Sequence, residues 1–309
     1  MAALDVTRLR ADSVVPHALV RTSDGTCLFL RHWGTSDPNV VAVLVLHGIT
    51  AYSEPYGALV AVELGRAGFP VFGLDLRGHG LSDGRRGDYP GPERLAKDLG
   101  ETIELLNGRF PRVVVLGHSL GAVSAMIAAN RYPERVRGLV LLSVGRQVTP
   151  GAYRKPPTRV VLKTLLGLAL FPRSPLIEYD RQGMLGRGDP LFNFRYTSRF
   201  YSSVYGMSTW SVVENLRRNI VDSPNLTARR IEEMPVLVGV GDHDEIFSVE
   251  SSRAFFDSLA CRHKEFVVIP GARHAGFPPG CWGPLVAWLT SHFPPQPEGR
   301  PGLPPFAVG

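Results

Sequence analysis

Six short, almost uninterrupted apolar runs recur along this chain: "VVAVLVLH" at 40–47, "PVFGLDL" at 70–76, "VVVLG" at 113–117, "VRGLVLLS" at 136–143, "PVLVGVGD" at 235–242 and "KEFVVI" at 264–269. A strand with one wetted face alternates apolar and polar residues, whereas a strand covered on both faces reads as continuous Val, Ile and Leu. Between and after the runs lie stretches with apolar residues at helical spacing, among them "YGALVAVELGRAG" ending at Gly68, Pro92 to Leu106, "LGAVSAMIAANRY", "SSRAFFDSLA" and, after the last run, "WGPLVAWLTSHF". Such alternation predicts an α/β fold: a mostly parallel central sheet with helices on both faces. "TCLFLRHW" at 26–33 reads as one more strand, set off by the turn-rich "GTSDPN".

The rhythm stops after Ser143 and resumes at Pro235. A gap of that length is too long for a loop in a compact domain, so it predicts a folded insertion. The expected organisation is a first core portion over 1–144, an inserted cap or lid over 145–230, a second core portion over 231–293 and a Pro/Gly-rich C-terminal tail over 294–309. The insertion holds an apolar stretch at 159–171, suited to lining a tunnel or lying on lipid, and an aromatic-rich stretch at 191–205. There, Tyr196, Phe200, Tyr201 and Tyr205 are candidates to bound a pocket for an acyl chain, with ordinary packing as the alternative.

Charge divides along the same lines. The net charge of +6 is concentrated in residues 145–225, where 12 Arg or Lys face 5 Asp or Glu. With no Lys/Arg run and no recognisable module, nucleic acid is not an expected partner. The basic segment suits peripheral contact with anionic lipid or with an acidic acyl carrier. Residues 1–20, "MAALDVTRLRADSVVPHALV", lack the apolar stretch of a signal peptide, and no run approaches a membrane span, so the expected location is the cytoplasm. The three cysteines, Cys27, Cys261 and Cys281, have neither disulfide nor zinc spacing and are expected to be small buried hydrophobes.

Chemistry enters at "GHSLG", residues 117–121, where a strand gives way to a helix. Ser119 in that position can simply cap the helix. Between Gly117 and Gly121 it also fits the nucleophile elbow, a sharp turn that holds a serine hydroxyl exposed. A serine nucleophile needs a base, and the base needs a carboxylate. His274 in "IPGARHAG" and Asp244 after "VLVGVGDH" follow two later strands, at the carboxyl edge where open parallel sheets place their sites. Asp242, two residues earlier, competes for the acidic role. Backbone N–H groups of Leu120, just after the serine, and of Ile49, in the "LHGIT" loop, are the candidate oxyanion donors. His47, His79 and His118 read as structural hydrogen-bonders, and His243 as a loop residue. Neither a cofactor motif nor a metal-ligand set accompanies these residues.

"VLHGIT", "LDLRGHGLSDGRRG", "GHSLGAVSA", "GVGDHDEI" and "GARHAGF" together resemble the α/β-hydrolase superfamily, and within it the monoacylglycerol lipase and lysophospholipase-like, or serine aminopeptidase-like, group. The resemblance implies the α/β-hydrolase fold with an inserted cap. Its G-x-x-D element falls on Gly241 and Asp244, which favours Asp244 over Asp242, and its first oxyanion donor falls on Ile49. Members specialised for monoglycerides often carry small residues after the His-Gly, where this chain has Ile49 and Thr50. The implied activity is hydrolysis of lipid-like acyl esters such as monoglycerides or lysophospholipids through an acyl-enzyme, with no cofactor. Acyl transfer or cyclisation at the same serine is the alternative within catalysis, and a non-catalytic binding protein on the same fold is the alternative outside it.

Overall fold

The computed structural model describes residues 5–152, 158, 162, 166–167, 170–171, 173–178, 188–206, 208, 211, 214–215, 218, 220–221, 223–227 and 230–296. Its centre is an eight-stranded sheet in the order β1-β2-β4-β3-β5-β6-β9-β10. These strands are β1 (His17–Arg21), β2 (Cys27–Gly34), β3 (Ala42–Leu46), β4 (Pro70–Leu74), β5 (Val113–His118), β6 (Gly138–Leu142), β9 (Val236–Gly241) and β10 (Lys264–Ile269). A short separate pair, β7 (Ile177–Glu178) and β8 (Arg195–Tyr196), lies between β6 and β9 in the chain.

From β4 through β10 all neighbours are parallel. β2 instead runs antiparallel to both β1 and β4. The N-terminal hairpin was only half legible, because "HALVR" is short and its Leu19 and Arg21 face solvent.

Continuous apolar runs make sense once the two faces are separated. Along β3, Ala42, Leu44 and Leu46 enter one core while Val43 and Val45 enter the other; along β5, Val113 and Val115 part from Val114 and Leu116 in the same way. A side-chain period of two sends successive residues to opposite faces, so a sheet covered twice needs apolar residues at every position. On the first face pack α1 (Pro92–Asn107) and α2 (Leu120–Arg131), through Leu95, Leu99, Ile103 and Val123. The second face is covered by the helical run Glu54–Arg66, with a π-helical turn at Gly57–Ala61, and by the helix Gly283–His292, through Val60, Leu64, Leu285 and Trp288.

Two expectations need correction. Cys261 is buried and its thiol donates to the Met234 carbonyl at 2.9 Å, but Cys27 and Cys281 are only half-buried, since one opens β2 and the other lies in the turn before the last helix. Tyr196, Phe200 and Tyr201 are core residues rather than pocket walls, with the Tyr196 and Phe200 rings 4.4 Å apart. Most of the 159–171 stretch and residues 297–309 of the tail lie outside the described residues. At the start of the tail, the Pro294 carbonyl accepts from Arg112 and the Gln296 N–H donates to the Asn39 carbonyl.

Candidate active site

Ser119 occupies the turn between β5 and α2 with φ 55° and ψ −118°, a left-handed conformation that L-residues with a Cβ rarely adopt. Close packing holds it there. A Cβ on Gly117 would lie 2.2 Å from the Gly121 carbonyl oxygen, and one on Gly121 would lie 2.0 Å from that of Leu46, so strand, turn and helix meet at a distance only glycine allows. Although Ser119 stands at the N-cap position, its side chain does not cap the helix. The hydroxyl instead lies 3.1 Å from His274 Nε2.

The His274 ring is fixed from its other side, with Nδ1 at 3.0 and 3.1 Å from the two Asp244 carboxylate oxygens. Asp244 Oδ1 also accepts from the Ile246 and Phe247 N–H groups at 2.8 and 3.0 Å. Burial pushes its pKa up, but the His274 hydrogen bond and charge and the two backbone N–H groups outweigh this and hold it below the usual carboxylate range. Asp242 lies elsewhere: it is exposed, and its carboxylate accepts from the Gly271 N–H at 2.7 Å. The structure thus brings Ser119, His274 and Asp244 into one chain of contacts and leaves Asp242 out.

Behind this chain stands a second one that sequence reasoning missed. His118 Nε2 donates to the His274 carbonyl at 2.6 Å, so its Nδ1 is the acceptor and receives the hydrogen bond of the Tyr56 hydroxyl at 2.7 Å. Tyr56 Oη in turn accepts from the Gly48 N–H at 2.8 Å. Desolvation first, then the neighbouring His274, lowers the His118 pKa and keeps the ring neutral, as this pattern requires. His118 is a structural hydrogen-bonder, as its sequence context suggests, and in the folded chain it ties the loop of His274 to the loop of Gly48. No spacing rule links positions 48, 56, 118 and 274.

The Gly48 loop carries Ile49. Among the described residues the N–H groups of Ile49 and Leu120 have no acceptor, whereas the next one, that of Thr50, donates to the Tyr196 hydroxyl at 2.7 Å. Leu120 is the first residue of α2, where backbone donors lack helical partners and the helix dipole is positive. His47 braces the same loop: its Nδ1 donates to the Gly48 carbonyl at 2.9 Å and its Nε2 accepts from Leu76 N at 3.1 Å.

Comparison with known proteins places this geometry. Residues 37–277 match the family model described as serine aminopeptidase, S33. The chain belongs to the serine aminopeptidase S33 family of α/β-hydrolases. A monoacylglycerol lipase of Mycolicibacterium smegmatis is 26% identical over 265 residues, covering 84% of this chain and 90% of that one. The crystal structure of the Paleococcus ferrophilus monoacylglycerol lipase is 30% identical, with a TM-score of 0.59, covering 86% of this chain and 99% of that one. An uncharacterised Escherichia coli protein, YnbC, is 28% identical over 262 residues; the match takes in 82% of this chain but only 42% of YnbC.

In this hydrolase the loop of β4 is also tied to the site. Asp75, fully buried just past β4, receives Arg31 Nη1 at 2.8 Å, the Ser53 N–H at 2.7 Å and the Leu81 N–H at 2.8 Å. The pair joins β2 to the far end of the Gly48 loop, so the "LDLRGHGLSDG" signature acts as scaffolding in the hydrolase. Its His79 is fully buried, with Nδ1 donating to the Arg77 carbonyl at 3.1 Å. Desolvation first, then His47, pushes the His79 pKa down to about 3.

Proposed function

We propose that this chain hydrolyses carboxylic esters, with Ser119 as nucleophile, His274 as general base and acid, and Asp244 as the carboxylate that orients His274. The observation that carries the reading is the continuous contact from Asp244 through both nitrogens of His274 to the Ser119 hydroxyl. In the first step Ser119 Oγ bonds to the ester carbonyl carbon while its proton passes to His274 Nε2. Negative charge that gathers on the carbonyl oxygen meets the N–H groups of Ile49 and Leu120. Collapse expels the alcohol, which takes the proton from His274. A water molecule, deprotonated by His274, then releases the carboxylic acid and restores the Ser119 hydroxyl.

The preferred substrates are lipid-like acyl esters such as monoglycerides or lysophospholipids. Support comes from relatives whose names specify monoacylglycerol or monoglyceride lipase. It also comes from Leu162, Leu166 and Leu170, spaced four residues apart and each more than 60% exposed, in the segment proposed as a cap over 145–230. That apolar face, on a segment of net positive charge, suits peripheral contact with an anionic lipid surface. Among the described residues no helix is long and apolar enough to cross a membrane. The same positive charge favours one second reading, in which an anionic acyl carrier is the donor and an alcohol or amine replaces water.

Hydrolysis of p-nitrophenyl esters from C2 to C16 tests the proposal, with mass spectrometry for a fluorophosphonate adduct on Ser119. Turnover that rises with chain length and vanishes in Ser119→Ala is the expected result. Equal turnover of short soluble esters would remove the lipid-like assignment. Labelling of Ser119 with poor ester turnover would move transfer chemistry ahead.

A further inference from the structure

Thr50, next to the proposed oxyanion donor Ile49, has φ 69°, a conformation particularly unfavourable for a β-branched residue. Both polar groups of its backbone are held by one short segment that precedes and includes β8. The Thr50 N–H donates to the Tyr196 hydroxyl at 2.7 Å, and the Thr50 carbonyl accepts from the Asn193 N–H at 2.9 Å. Tyr196 in turn donates to the Asn193 carbonyl at 2.9 Å, so both hydrogen-bonding roles of this wholly buried hydroxyl are filled. The clamp extends one step along the loop, where the Tyr52 hydroxyl donates to Asp189 at 3.1 Å and its ring meets Phe192 edge-on at 5.2 Å. Asn193 Nδ2 anchors the segment to the Gly78 carbonyl at 2.6 Å.

From this geometry we infer that Tyr196 is a positioning residue for the oxyanion hole: its hydroxyl holds the Thr50 peptide in its left-handed conformation and thereby presents the preceding Ile49 N–H to the reacting carbonyl. The inference rests on the proposed role of Ile49. The peptide planes on either side of Thr50 are set by its φ and ψ, so a Thr50 that relaxes to negative φ re-aims the backbone next to Ile49. Removing the hydroxyl both leaves a buried N–H without a partner and releases the strained residue. A consequence is that the insertion between β6 and β9 contributes to the chemistry even though none of its described residues hydrogen-bonds to Ser119 or His274.

The test compares wild type, Tyr196→Phe, the double variant Thr50→Gly/Tyr196→Phe and Phe200→Leu, with steady-state kinetics on a p-nitrophenyl ester and protein concentration corrected for the fraction of Ser119 that takes fluorophosphonate to completion. Tyr196→Phe should lower kcat by about tenfold or more with KM within about threefold, because the loss falls on the transition state. Affinity for a boronic acid, which forms a tetrahedral adduct on Ser119, should fall in parallel. Glycine tolerates positive φ, so Thr50→Gly should restore most of kcat in the Tyr196→Phe background. Phe200→Leu disturbs the same aromatic packing without touching the hydroxyl and should lower stability while leaving kcat unchanged. If Tyr196→Phe alone does not fold, the double variant carries the test, with kcat near wild type supporting the inference and a loss of tenfold or more overturning it. Unchanged kcat in Tyr196→Phe, or a loss that Thr50→Gly does not reverse, overturns the role of Tyr196 alone. Failure of wild-type Ser119 to take the probe overturns the catalytic reading itself, and this inference with it.

Discussion

His118 Nε2 donates to the backbone carbonyl of His274 at 2.6 Å, although the two residues are 156 positions apart. The bond fixes the peptide of the proposed base rather than its ring. Replacing His118 with Ala also strands the Tyr56 hydroxyl and loosens the Gly48 loop. Misplacement of a reacting group by an ångström costs about 100-fold in rate. His118→Ala should therefore lower kcat by roughly 10- to 100-fold, with KM changed far less. A fall in Tm with kcat intact would assign His118 to stability only.

Asp244 and Asp242 offer a direct comparison. Asp244→Asn should lower kcat by about 10⁴, since an amide favours the wrong tautomer of His274. Asp242 is exposed and, among the described residues, its carboxylate accepts only from the Gly271 N–H, so Asp242→Asn should keep kcat within about twofold and cost roughly 1 kcal/mol or less of stability. Parallel kinetics and urea unfolding on the two variants check both statements. Equal losses of activity would sink the assignment of Asp244.

Ser119→Gly should make the protein more stable as it becomes inactive. The serine sits at φ 55°, and relief of that strain is worth about 1 kcal/mol, offset in part by the greater freedom of glycine in the unfolded chain. A rise in the urea midpoint with loss of ester turnover is the expected outcome, and a fall in the midpoint would contradict it. Gly121→Ala is the opposite case: a methyl 2.0 Å from the Leu46 carbonyl oxygen has no rotamer to escape into. Its cost should exceed about 3 kcal/mol, read as loss of soluble protein or a greatly lowered midpoint.

Acid should destabilise the fold in two stages. His47, His79 and His118 are buried and neutral, with pKa values lowered first of all by desolvation. Unfolded, each binds a proton near its ordinary pKa of about 6.5, so their contribution is full above that pH and is lost as pH falls below it. With His79 and His118 pushed down to about 3, each of these two should have cost on the order of 2 kcal/mol at pH 5. Asp244 and Asp75 lie below the usual carboxylate range despite burial, so their contribution is present above about pH 4 and disappears as pH falls through the depressed values. Urea midpoints from pH 8 to pH 3 should show the first decline setting in near pH 6.5. A flat profile between pH 7 and pH 5 would mean that these rings are not held neutral.

Apolar run length and helical period determined the α/β class, because a sheet covered on both faces leaves its mark at each successive residue. "GHSLG" after a strand likewise located the turn of Ser119, since the elbow is a local structure whose glycines are demanded by contacts within a few residues and with the adjoining strand. Local pattern also named Asp244 and His274 as candidates at the ends of later strands, but it left Asp242 open, because two carboxylates two residues apart look alike until the loop is folded. Only the tertiary structure decided which of them faces His274. It alone revealed the Tyr56–His118 connection, the antiparallel pairing of β2, and the burial of Tyr196 against the Gly48 loop. Most of those relationships join residues from a few tens to about 150 positions apart, and their hydrogen bonds depend on where packing places whole strands and loops, which no periodicity along the chain records.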